Sequence, residues 1–128
     1  MVQLREIEPQ LRDFGVQLFA ISPDQPSKLK ETIDKHQIHF PLSSDSDMAA
    51  ARGFGVAYKL DEATLVKLKA SGMDVEEASG QQHHMLPVPA VFLIGGTKCL
   101  IEFEYVNPDY RVRLSSDLLL AAVRSLFK

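Results

Sequence analysis

The spacing of apolar side chains predicts a helix at the beginning of the chain. Apolar residues recur there at intervals of three and four, at Met1, Leu4, Ile7, Leu11 and Phe14. This spacing places them on one face of an amphipathic helix, and Gly15 is suited to its C-terminus. Pro9 lies inside the pattern, where a proline bends a helix. No capping residue precedes Met1, so the pattern predicts a helix that begins upstream of this sequence.

Short apolar runs then alternate with helical patterns over the next sixty residues. The predicted elements are a strand at 16–21, a helix at 27–36, an extended piece at 38–42, a helix at 48–52, a strand or turn at 56–60 and a helix at 61–71. The serines and aspartates at 43–47 are typical N-caps and introduce the helix at 48–52. The polar stretch 73–82 is predicted to form a loop.

The last third of the chain predicts a β-hairpin and a closing helix. Strands at 90–94 and 99–105 flank a glycine turn at 95–98. Ser115 or Ser116 caps a final helix at 117–127. We expect the inward side of that helix to carry Leu119, Val123 and Leu126.

The order of these elements favours an α/β sandwich with a mixed sheet. Strands alternate with helices early in the chain, and a hairpin follows. A length of 128 residues suits a single domain that covers residues 1–128.

Charge and composition exclude several classes of function. The net charge of −3 supplies no basic surface for nucleic acid or an anionic membrane. No apolar run approaches the roughly 20 residues of a membrane span, and the first ten residues do not resemble a signal peptide. Cys99 is the single cysteine, which excludes a disulfide within the chain and CxxC chemistry. A cytoplasmic location is the expectation that follows.

Other clusters of reactive side chains favour structural roles. The pairs His36 with His39 and His83 with His84 lack further ligands at a suitable spacing, so we predict no metal. The acidic stretch 43–47 lacks the spacing of a calcium loop, and helix capping is the better interpretation. Four polar residues at the last turn are candidates for anion binding, although a solvated surface is the expectation: Asp109, Tyr110, Arg111 and Arg113.

Several segments resemble the AhpC/TSA family, the peroxiredoxin-like redoxins. They are the helix LREIEPQLRDFG with its mid-helix proline, the strand and turn VQLFAISPD, the stretch HFPLSSDSDMAAARGFGV and the proline-led strand VPAVFLI. The resemblance implies a thioredoxin-like three-layer sandwich with a mixed sheet. It also implies peroxide reduction or thiol–disulfide exchange, with electrons from a thiol donor protein and no metal or other cofactor.

The resemblance also implies a site around the proline of the VPAVFLI segment. Pro89 occupies the place of a proline that is cis in the thioredoxin fold and helps to dock substrate, which makes a cis bond the expectation. Val88 and His84 are the other candidate substrate-binding residues. His84 could line the cleft near Pro89.

The family's first core strand and its reactive cysteine are missing from the resemblance. Three explanations are open: a truncated or degenerate member without peroxidase activity, a fragment of a longer protein, or Cys99 as a replacement thiol. We expect Cys99 to be a buried structural residue of the second hairpin strand, since free cysteines are usually buried. No catalytic residue is therefore assigned.

The missing strand would lie between the strands at 16–21 and 90–94. Either these strands pair directly, or another chain fills the gap. A homo-oligomer, most simply a dimer, is the prediction. The alternative to a redox protein is accordingly a non-catalytic homo-oligomeric binding protein that uses the cleft near Pro89.

Overall fold

The computed structural model describes residues 2–108 and 114–126, apart from the side chains of Val2 and Gln3. Its contacts divide the chain into two compact units, one of Met1–Leu18 with Val88–Lys128 and the other of Phe19–Pro87. A single domain over 1–128 stays a prediction. Within the described ranges, no helix is long and apolar enough to cross a membrane.

Helices and short strands alternate along most of the chain. The helices are α1 (Val2–Asp13), α2 (Pro26–His36), α3 (Ala49–Gly53), α4 (Glu62–Ala70), α5 (Val75–Ser79) and α6 (Ser116–Leu126). The strands are β1 (Ala20–Ser22), β2 (Leu42–Ser44), β3 (Ala57–Lys59), β4 (Met85–Pro87), β5 (Ala90–Gly95) and β6 (Leu100–Val106).

The first unit packs α1 and α6 with the β5–β6 hairpin around one apolar cluster. Its buried members are Ile7, Leu11, Leu93, Leu119, Leu120 and Val123. Pro9 lies inside α1, as predicted. The Leu118 N–H donates to Ser115 Oγ at 3.1 Å, which confirms Ser115 as a cap of α6. The expected inward position of Leu126 is wrong, because 42% of this residue is exposed.

The hairpin register changes near its tip. Leu93 pairs with Phe103, whereas Ile94 pairs with Ile101, so Glu102 is an extra residue on β6. The turn itself covers 96–99, one residue later than predicted. Cys99 ends this turn at φ +53° and is exposed. Our expectation of a buried strand cysteine is wrong, because the turn includes Cys99 and β6 begins only at Leu100.

The second unit contains one parallel and one antiparallel strand pair. β1 runs parallel to β2, with Ala20 opposite Leu42 and Ser22 opposite Ser44, and β3 runs antiparallel to β4. The buried side chains of this unit include Leu29, Ile38, Phe40, Met48, Ala51, Leu60 and Val75. β1 and β2 both begin later than predicted. The predicted loop at 73–82 is wrong, since it contains α5.

The strands form three two-stranded sheets, β1–β2, β3–β4 and β5–β6. Parallel and antiparallel pairs are both present, as an α/β class predicts. Within the described residues, β1 and β5 each have one neighbouring strand. How the predicted gap between these two strands is closed, directly or by another chain, stays a prediction.

Candidate functional site

Pro89 lies directly before β5, where its carbonyl group joins the hairpin. The Asn107 N–H donates to Pro89 O at 3.2 Å. The described part of the chain contains no cis peptide bond, so the expectation of a cis bond between Val88 and Pro89 is wrong. A trans bond is the ordinary form before proline. Proline has no N–H to donate to a strand ladder, and a position just before a strand does not require one.

His84 lies in a left-handed turn before β4, at φ +55°. Its carbonyl accepts a hydrogen bond of 2.8 Å from the Leu60 N–H. Its ring Nε2 lies 2.5 Å from Glu76 Oε1, at the beginning of α5. This pair borders a cleft of about 150 Å³, which is also lined by Leu65, Lys69, Met73, Asp74 and Val75.

The three predicted substrate-binding residues fall in different units. Val88 and Pro89 belong to the first unit, and His84 belongs to the second. In the described contacts, His84 is engaged with α5 through Glu76. A substrate-binding role for the three residues together therefore stays a prediction.

His83 connects the segment before α3 to β4, through both nitrogens of its ring. Nε2 lies 2.6 Å from Ser46 O, and Nδ1 accepts a hydrogen bond of 3.0 Å from the Met85 N–H. A carbonyl needs a donor and an N–H needs an acceptor, so the two contacts together assign a neutral ring with its proton on Nε2.

The carboxyl ends of the parallel strands β1 and β2 bring several polar groups together. Ser44 Oγ donates to Asp24 O at 2.6 Å, and Ser22 Oγ accepts from the Asp24 N–H at 3.2 Å. This edge is where parallel α/β sheets usually bind ligands. Burial raises the pKa of the Asp24 carboxyl, and the charge of Lys28 partly offsets that rise.

Asp45 follows β2 and is buried. Its carboxylate is hydrogen-bonded to the first turn of α3. Its carboxylate accepts hydrogen bonds from the Ala50 and Ala51 N–H groups at 2.8 and 2.9 Å. These bonds satisfy donors that the first turn of α3 leaves without helical partners. The contact confirms helix capping as the role of the acidic stretch 43–47.

Cys99 carries the thiol of this chain and lies in the exposed turn between β5 and β6. Its N–H donates to Gly96 O at 3.3 Å, which closes the hairpin turn. Reactive thiolates depend on a helix N-terminus or on basic partners. The turn at Cys99 joins two strands, so it supplies no helix N-terminus.

Sequence reasoning missed Glu76, the partner of His84. The signal was present, because Asp74 precedes two glutamates. Asp74 Oδ1 accepts hydrogen bonds from the Glu76 and Glu77 N–H groups at 3.1 and 3.2 Å, as an N-cap does. The role of His83 had no comparable local signal, since Ser46 lies 37 residues away.

The candidate metal ligands and the candidate anion-binding residues are not assigned to a site. In the part of the chain that the structure describes, no three His, Cys, Asp or Glu side chains lie close enough together to hold a metal ion. The proposed anion-binding residues Asp109, Tyr110, Arg111 and Arg113 lie outside the described residues.

Comparisons with known proteins place the chain in a family. The model of the AhpC/TSA family matches residues 1–102. A segment of 53 residues is 42% identical to the putative peroxiredoxin bcp of Haemophilus influenzae (strain ATCC 51907 / DSM 11121 / KW20 / Rd), and it covers 41% of this chain and 34% of that relative. The match thus spans about a third of the relative's length. Since the family model covers 102 of the 128 residues, the chain belongs to the AhpC/TSA family and has its peroxiredoxin-like, thioredoxin-like α/β scaffold.

Proposed function

We propose that this chain supplies the scaffold of a peroxiredoxin-like thiol oxidoreductase and has no peroxide-reducing turnover of its own. Membership of the AhpC/TSA family and the similarity to a putative peroxiredoxin support the redox scaffold. The absence of peroxide-reducing turnover is argued from the position of Cys99 on an exposed hairpin turn. A thiol donor protein as partner and a cytoplasmic location belong to the same proposal.

The chemistry of thiol peroxidases explains why the position of the thiol matters. A thiolate attacks the peroxide O–O bond and becomes a sulfenic acid, while the other oxygen leaves as hydroxide or water. A second thiol then condenses with the sulfenic acid, and a donor reduces the resulting disulfide. The first step needs a thiolate in an electropositive surrounding. Cys99, between β5 and β6, lacks the helix N-terminus that would help to provide one.

Peroxide consumption by the purified chain in excess dithiol tests this proposal. We expect wild type and Cys99→Ser to give the same rate as the dithiol alone, because no thiol in the chain is positioned for turnover. The exposed Ser71→Ala variant is a control for the mutagenesis, since it leaves the thiol in place. Turnover above background that Cys99→Ser abolishes would make Cys99 the reactive thiol and would overturn the proposal.

A second candidate is a non-catalytic binding protein that assembles as a homo-oligomer and uses the cleft near Pro89. The observation that favours it is the single neighbouring strand of β1 and of β5 in the described residues, together with exposed apolar side chains such as Phe19 and Ile21. Large apolar groups in contact with water are typical of interaction surfaces. Sedimentation of the purified chain distinguishes this candidate, which requires more than a monomer.

A further inference from the structure

Helix α6 carries two apolar faces. Leu119, Leu120 and Val123 are buried in the core of the first unit. A second stripe recurs at intervals of three and four residues on a different side of the helix, at Leu118, Ala121, Ala122, Ser125 and Leu126. This spacing is the one by which helices bury a face against a neighbour.

The second stripe, Leu118 to Leu126, borders an open groove in the first unit. Leu118 is 47% exposed and Leu126 is 42% exposed. The stripe lines a groove of about 370 Å³ together with Glu102 and Phe103 of β6. A helix with both faces apolar is normally buried on both sides, so this surface is suited to a partner.

The charges beside the stripe indicate what the partner is. Asp117 and Arg124 are both exposed and lie seven residues apart, on the same flank of α6. Seven residues are about two turns, or roughly 10 Å along the axis. When a second α6 packs antiparallel, its Arg124 faces Asp117 of the first copy, and its Asp117 faces Arg124. A parallel two-fold arrangement would instead place these flanks on opposite sides of the contact, so the two charges of one copy would not meet those of the other.

We propose that a second copy of this chain docks on the stripe, with the two α6 helices antiparallel about a two-fold axis near Ala121. Such an interface is self-complementary, as two-fold symmetry requires. The small side chains of Ala121, Ala122 and Ser125 allow the helix axes to approach closely. The proposal rests on the homo-oligomeric candidate only in taking the partner to be a second copy of this chain. It does not depend on peroxide turnover.

The sheet edges are less suited to this assembly. β1 contains three residues and offers few hydrogen bonds to an incoming strand. β6 carries the exposed charges of Glu102 and Glu104, which would oppose each other in a symmetric strand pair. Short and charged edge strands are ways in which proteins prevent strand addition.

Sedimentation equilibrium of the full chain, from about 1 to 300 µM, tests the proposal. One helix stripe is smaller than a standard interface of about 1,600 Å², so we expect a dimer with a micromolar dissociation constant. Leu118→Glu should raise that constant by about tenfold or more, because it buries a charge at the contact. Val66→Glu is the matched control, since Val66 on α4 is 68% exposed and lies outside the stripe.

Charge reversal tests the antiparallel orientation. Asp117→Arg and Arg124→Asp should each weaken the dimer, and the double variant should restore it, because opposite charges then face each other again. Circular dichroism confirms that each variant folds. A dimer that survives Leu118→Glu, or one that is lost in the edge variant Ile21→Lys, would overturn the α6 interface alone. A monomer at every concentration would overturn the homo-oligomer as well.

Discussion

Two aspartates of the second unit show how the surroundings of a single residue set its response to pH. Burial raises the pKa of Asp24, because the charged carboxylate loses hydration. Hydrogen bonds from Thr64 lower the pKa of Asp61. The side chain of Thr64 has the larger effect, and its main-chain N–H has the smaller one. The two residues therefore contribute to stability with opposite dependence on pH.

The cap residue Asp61 should make the stability of α4 sensitive to acid. Its carboxylate accepts a hydrogen bond of 2.7 Å from the Thr64 N–H. Because the folded pKa lies below the unfolded one, the stabilisation is complete above the ordinary aspartate pKa of about 3.9. It is lost as the pH falls through the folded pKa.

Asp61→Asn keeps a capping oxygen and removes the titration. We expect the difference in urea midpoint between wild type and this variant to be constant from pH 7 to about pH 5. Below about pH 4, the midpoint of wild type should fall relative to that of the variant. Parallel pH profiles for the two proteins would show that Asp61 does not contribute in this way.

His83 should contribute more to stability than an exposed histidine does. Replacement by alanine leaves Ser46 O and the Met85 N–H without the ring nitrogens that they contact. We expect His83→Ala to lower the free energy of unfolding by about 1–3 kcal/mol, the range for a lost hydrogen-bond partner. His39→Ala, at an exposed position, is the control and should change stability by less than about 0.5 kcal/mol. Equal effects of the two changes would contradict the contacts of His83.

At the scale of elements, one residue, Gln25, connects the beginning of α2 to the end of α5. The Gln25 N–H donates to Ala78 O at 2.8 Å, and its Nε2 donates to Glu77 O at 2.7 Å. These carbonyls lie in the last turn of α5, where helical partners are missing. Gly80 ends α5 in the left-handed region, at φ +72°, and leaves room for Gln25.

Gly80→Ala should therefore destabilise the protein. An added Cβ would lie 3.3 Å from Gln25 Oε1, and a left-handed alanine costs about 1–2 kcal/mol. Gly53→Ala in α3 is the matched control: its φ lies outside the left-handed region and its Cβ meets nothing within 4 Å. There we expect about 0.5–1 kcal/mol of stabilisation. Urea denaturation measures both changes, and the same sign for both would contradict this account.

Sequence reasoning succeeded at the elements whose signals are local. Apolar spacing was sufficient for α1, and the serine before α6 was recognisable as a cap. Cys99 was misplaced because the glycine turn extends through Cys99 at φ +53°, and apolar alternation alone does not show at which residue a turn ends. Leu126 was misplaced because α6 is apolar on two sides, so its spacing does not single out one buried face.

At the scale of the whole molecule, family membership was predictable from a few segments, whereas the contacts of the candidate site were not. The segments HFPLSSDSD and VPAVFLI resemble the AhpC/TSA family as they stand in the sequence. The contact of His83 with Ser46, 37 residues away, depends on how distant segments pack, and no spacing in the sequence encodes it. The start of α5, which carries Glu76, was recognisable from Asp74, but its contact with His84 was not. The trans bond at Pro89 likewise departs from what the resemblance implied.

The exposed turn that carries Cys99 also limits what oxidation can do to this chain. These 128 residues hold no second thiol to resolve Cys99, so a sulfenic acid formed there would react next with a thiol from outside them or with further oxidant. Two copies linked through Cys99, or a mixed adduct with a small cellular thiol, are the reversible products available. Reduction of an oxidised Cys99 therefore requires an electron donor outside these 128 residues.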